Sequence, residues 1–163
     1  MKLSWNSLKI SIAGARLSHL VQKDKIWDHG TMIEQVKTVF FKLKRAKNNA
    51  NIEELNKYLT ASCYEKLKKE MDELTRKEKT WVIKNLLIRE VAVIAVSEGK
   101  NHTRHSAHRP DCFTALIKTI GIEFIRDEHS AKELIDYADK VQNFSERWIF
   151  VREGEWWFLD EMK

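Results

Sequence analysis

The spacing of apolar residues changes once along this chain, near residue 80, and that change restricts the fold more than any motif does. Before it, Ile33, Val36, Val39, Phe40, Leu43 and Ala46 recur every three or four positions, the spacing of one helix face. After it, Leu86, Ile88, Ala92, Ile94 and Val96 share one parity inside a Val- and Ile-rich run from Val82 to Val96, which is strand spacing. Helices first and strands afterwards is the α+β order, with helices packed on one face of an antiparallel sheet.

Punctuation along the chain fills in the elements. Thr31 with Glu34 has the form of a capping box and predicts a helix ending near Asn48–Asn49. Asn51 with Glu54 predicts a short helix carrying Ile52, Leu55, Tyr58 and Leu59. Ser62 with Glu65 predicts a third, with Tyr64, Leu67, Met71 and Leu74 in line. After the strand over 82–96, Gly99 and the only Pro mark a loop over 97–110, and a second strand is predicted over about 111–125. Gly121 marks a bulge or bend in it. Segment 127–143 reads either as a short helix capped by Ser130 with Glu133 or as an irregular connection. Phe144 to Arg152 alternates as a strand, Glu153-Gly154-Glu155 is a turn, and Trp156 to Met162 is a closing strand.

A chain of 163 residues with six Trp and 43% hydrophobic residues has the means to bury one substantial core, which excludes a disordered chain. The longest apolar run, Val91 to Val96, is six residues, where a membrane span needs about 20. Cys63 and Cys112 are too few for a disulfide scaffold. Charge is unevenly spread. Residues 1–50 hold ten Lys/Arg against three Asp/Glu, net +7; residues 51–100 carry +1 and residues 101–163 carry −3. The basic front predicts affinity for an anionic surface. Residues 1–23 contain no acid, and their apolar residues, Leu3, Trp5, Leu8, Ile10, Ile12, Leu17 and Leu20, spread nearly all round a helical wheel. Residues 1–26 are accordingly read as a basic N-terminal extension, docked or partly frayed, with a membrane or targeting role as the alternative.

The ending Phe144-Ser-Glu146-Arg-Trp148-Ile-Phe150-Val-Arg152, followed by Gly154, Trp157 and Leu159, resembles the terminal hairpin of the Tim44-like domain family. Trp27, then Phe40 and Ala46, then Leu55, Tyr58-Leu59-Thr60 and Tyr64 resemble that family's front, so residues 27–163 are read as the domain. The family is named after the membrane anchor of the mitochondrial import motor and belongs to the nuclear-transport-factor-two-like superfamily. The resemblance implies three N-terminal helices packed on a strongly curved antiparallel sheet, a cone. It also implies a non-enzymatic scaffold that docks protein partners, an anionic membrane surface, or both, with a role in protein transport. The matching location is cytoplasmic and peripheral to the inner membrane, or the mitochondrial matrix in a eukaryote.

Several constellations bear on chemistry. Lys37, Lys42, Lys44, Arg45 and Lys47 lie off the apolar stripe of the first predicted helix and are the candidates for contacting an anionic surface. Glu146 shares a strand face with Phe144, Trp148 and Phe150. A carboxylate among aromatics is either paired, with Arg152 or Arg126, or is a general base in a cone cavity, as superfamily enzymes use one. The alternative function follows from the second option: a small-molecule-binding protein or enzyme with Glu146 as base. Trp148, Trp157, Tyr58 and Tyr64 would then line the pocket around a small hydrophobic ligand. His102, His105, His108 and Cys112 have the residue types of a metal site, but Lys100, Arg104 and Arg109 stand beside them and disfavour a cation. No Gly-rich phosphate loop, nucleophile elbow or zinc-protease motif occurs, so no catalytic residue and no cofactor are expected. Nucleic acid is not an expected partner, because the basic helix does not interleave its cations with exposed aromatics.

Overall fold

The computed structural model describes residues 4–99, 109–129 and 140–163. Three α-helices, α1 (Trp5–Lys23), α2 (His29–Asn49) and α3 (Ala61–Arg76), precede four strands. The strands are β1 (Lys79–Ser97), β2 (Cys112–Asp127), β3 (Gln142–Glu153) and β4 (Trp156–Met162), and they pair antiparallel in the order β1-β2-β3-β4. The expected α+β class is the observed one. The alternative readings of segment 127–143 turn on Ser130 and Glu133, which lie outside the described residues.

The helices are not the three that the capping signatures mark. The chain ahead of residue 27 forms α1, while residues 53–57 make only a 3₁₀ turn. The signatures at α2 and α3 sit slightly past the true starts. Asp28, not Thr31, caps α2, its carboxylate accepting from the Thr31 amide at 2.9 Å and the Thr31 hydroxyl at 2.7 Å. Thr60, not Ser62, caps α3, and its hydroxyl also donates to Asp160 Oδ1 at 2.8 Å. Asn51 does turn the chain, but by accepting from the Glu53 amide.

Rows of residues across the sheet show which face meets the helices. Val96, Phe113, Phe150 and Leu159 are aligned, as are Val93, Ala115 and Trp148, and all are buried. Against them pack Met32, Val36, Val39, Phe40 and Leu43 of α2, with Leu67 and Met71 of α3. β1 bends through register shifts at Lys84/Leu87, Ile88/Glu90 and Val93/Ala95. Opposite the first shift, a Cβ on Gly121 would come within 2.8 Å of Leu86 Cα, so only glycine fits that crossing. The β4 edge is closed by the chain entering α3: Leu159 N donates to Tyr58 O and Thr60 N donates to Leu159 O, both at 2.9 Å.

Candidate functional site

The last turns of α2 carry a polar box across the sheet. Lys44 lies four residues past Phe40 and Lys47 four past Leu43, so both fall on the buried stripe of the helix. Lys44 is 5% exposed. Its Nζ donates to Glu123 on β2 at 3.1 and 3.2 Å and stands 3.1 Å from Glu146 Oε2 on β3. The Trp81 indole N–H donates to Glu123 Oε1 at 3.0 Å, and the Trp148 indole N–H reaches Glu146 Oε1 at 3.4 Å. One ammonium thus ties two strands to a helix, and an indole N–H donates to one oxygen of each carboxylate. Lys47, 7% exposed, lies 3.9 Å from the Trp81 ring centroid. Burial holds its pKa below the usual lysine range.

These positions correct the sequence reading at several points. Lys44 and Lys47 do not belong to a solvated basic face. Only Lys37, Lys42 and Arg45 of the five keep access to solvent, with Phe41 exposed beside them. Glu146 is paired, but with Lys44 rather than Arg152 or Arg126. Trp148 and Trp157 are fully buried: Trp148 packs 5.4 Å from Phe40, and Trp157 lies 4.9 Å from both Trp27 and Phe113. They are core, and of the two only Trp148 lies against Glu146, while Trp157 pairs with Arg152 farther along β3. Tyr58 is half-buried elsewhere, under Lys42, in a shallow groove of about 350 Å³ that Arg45 also borders. Tyr64 packs on the rim of the core. Cys112 opens β2 half-buried, its thiol pKa pushed up by burial, while His102, His105 and His108 lie outside the described residues. Cys63 is buried, which pushes its thiol to about 11 and removes it from thiolate chemistry.

Two features of the N-terminal helix were not separable in the sequence. α1 buries Ala13, Leu17 and Leu20 against the core, yet leaves Trp5 at 68%, Leu8 at 42% and Ile12 at 55% exposed. The apolar residues spread round the wheel because they form two stripes, one inward and one outward. The outward stripe carries Lys9, whose Nζ lies 5.6 Å from the Trp5 ring centroid. None of the described helices is long and apolar enough to cross a membrane. The helix is then locked at its far end by Arg152, whose guanidinium donates to Asp24 at 2.6 Å and Asp111 at 3.4 Å. That hydrogen bond holds the Asp24 carboxyl below the ordinary carboxylate range.

No curated protein matches the chain. Among solved structures, the intermembrane space region of the chloroplast protein ARC6 is similar at 13% identity and a TM-score of 0.48, over 80% of this chain and 94% of that one. Residues 13–163 match the Tim44-like domain, so the match begins inside α1 and includes its inward stripe together with the polar box and the terminal hairpin. The chain belongs to the Tim44-like domain family.

Proposed function

We propose that this domain is a non-enzymatic scaffold of the protein-transport type that seats on an anionic membrane surface through the outward stripe of α1. The observation that carries this is an acid-free helix exposing Trp5, Leu8 and Ile12 beside Lys9, while its other side is anchored in the core. Burying such side chains in the lipid interface gains on the order of 1.5–3 kcal/mol each at full burial. Cations near an anionic leaflet add about 1 kcal/mol apiece. Lys37, Lys42 and Arg45, solvent-accessible on α2, are the supporting cations. An enzyme with Glu146 as base is the weaker reading, because Lys44 and the Trp148 indole engage both Glu146 oxygens.

The test is flotation of the chain with vesicles, with and without anionic lipid, at low and moderate salt. The chain is expected to float with anionic vesicles and to be released as added salt shortens the screening length to about 8 Å. Replacing Trp5, Leu8 and Ile12 together by Ser should abolish flotation while moving the unfolding midpoint little, since exposed positions typically shift stability by about 0.5 kcal/mol or less each. Equal, salt-independent binding to neutral vesicles, or no binding at all, would refute the proposal.

A further inference from the structure

Among the described residues, one edge of the four-stranded sheet is left open. β4 is covered by the chain around Tyr58–Thr60, but among the described residues the helices reach the outer backbone of β1 by hydrogen bonds only toward its ends. There the Ile83 amide donates to Asn48 Oδ1 at 3.0 Å, and the Val96 carbonyl accepts from Arg16 at 2.6 Å. Among the described residues, no helix supplies a hydrogen bond to the backbone of β1 between those two points. Bulges interrupt the strand on either side of one regular stretch, Glu90 to Val93, which faces Lys118 to Ala115 in unbroken register.

A groove of about 450 Å³ runs along that regular stretch. Val91, Ala92 and Val93 all border it. Successive side chains of a strand point to opposite faces, so a groove touching three in a row follows the edge of β1 rather than either face. Its other wall is α1, through Ile10, Leu17 and Val21. In the same wall, Gly14 sits inside the helix, where glycine costs roughly 0.5–1 kcal/mol relative to Ala. A Cβ there would meet nothing within 4 Å, so packing inside this chain does not require the glycine.

We propose that this slot takes an extended peptide segment of another protein, apolar at alternate positions and flanked by acidic residues, which pairs with the free edge of β1. An unpaired strand edge is satisfied by main-chain N–H and C=O groups, and alternate side chains of an added strand would fill the groove against α1. At about 3.3 Å per residue, the regular stretch accommodates roughly four residues. Charge selects the flanks. Arg16 and Lys23 lie on α1, which has no acid, and Lys84 and Arg89 lie on β1, while the two acids at the slot are engaged, Glu90 with Lys118 at 3.0 Å and Asp28 with the amide and hydroxyl of Thr31. A second copy of this chain would set those cations against one another, whereas an acidic-flanked segment complements them. The inference goes beyond the membrane reading and uses another side of α1.

The experiment is anisotropy titration of the full chain against a library of short labelled peptides, with alternating β-branched residues between Asp/Glu flanks and a matched set with Lys flanks. Binding by the acidic set, weaker by about tenfold with Lys flanks at low salt, is expected. Gly14→Leu fills the groove while replacing a poor helix former by a good one. It should therefore abolish peptide binding, leave the unfolding midpoint unchanged or higher, and leave vesicle flotation intact. Bound peptide should also slow amide exchange at Val91–Val93. The proposal is overturned if no library member binds, or if Gly14→Leu binds as the parent does. Concentration-dependent dimerisation that Gly14→Leu abolishes would assign the slot to a second copy and equally overturn it.

Discussion

Trp157→Ala is expected to lower the unfolding free energy by about 4–5 kcal/mol, a large share of the 5–15 kcal/mol typical of a domain. The ring is fully buried, edge-on to Trp27 and Phe113 at 4.9 Å each. Its indole N–H donates to Ile26 O at 2.9 Å, and its own carbonyl accepts from Gln35 at 3.1 Å. Truncation therefore opens a cavity where β2, β4 and the turn between α1 and α2 meet, and leaves the Ile26 carbonyl without its indole donor. The neighbouring Trp156 is 40% exposed, and Trp156→Ala should cost no more than about 1 kcal/mol. Chemical denaturation of the two variants side by side tests this. Equal losses would mean that Trp157 does not hold the position described.

Lys44→Met is expected to cost about 3 kcal/mol, because it strips the shared cation from Glu123 and Glu146 and leaves two carboxylates facing a largely dry helix. The lower end of the usual range applies: the Glu123 side chain is 14% exposed and that of Glu146 25%, so water relieves part of the penalty. Adding Glu123→Gln and Glu146→Gln to Lys44→Met removes the orphaned charges and should recover most of the loss. The measurement is the midpoint of denaturant unfolding for parent, single and triple variants. A single variant that behaves like an exposed Lys→Met, or a triple variant that is worse than the single, would contradict the box.

The sequence made the class of fold legible because the elements that define it are strongly patterned. α2 repeats apolar residues every three or four positions from Met32 to Ala46, and Trp156 to Met162 has the predicted bounds. Helix starts were off by two or three residues at α2 and α3, since several side chains near each start are able to cap and tertiary contacts choose among them. Thr60 wins at α3 because its backbone and hydroxyl also pair with β4. α1 was read as an extension because its inward and outward stripes superpose into a wheel with no polar side. The box was missed for a different reason. Lys44 sits on the apolar stripe of α2, a visible signal, but its partners Glu123 and Glu146 lie far along the chain on strands, where helix periodicity carries no information. The open edge of β1 is a property of sheet order and became visible only once the strands were placed.

The most direct test of the membrane reading is tryptophan emission in the presence of anionic vesicles whose acyl chains carry bromine. Of the six Trp, Trp5 is the most exposed and stands alone on the outward stripe of α1, whereas Trp27, Trp148 and Trp157 are buried in the core. The account predicts quenching on binding that disappears in Trp5→Phe, with the variant still floating with the vesicles. Quenching that persists in Trp5→Phe, or vesicle binding with no quenching in the parent chain, would contradict insertion of α1.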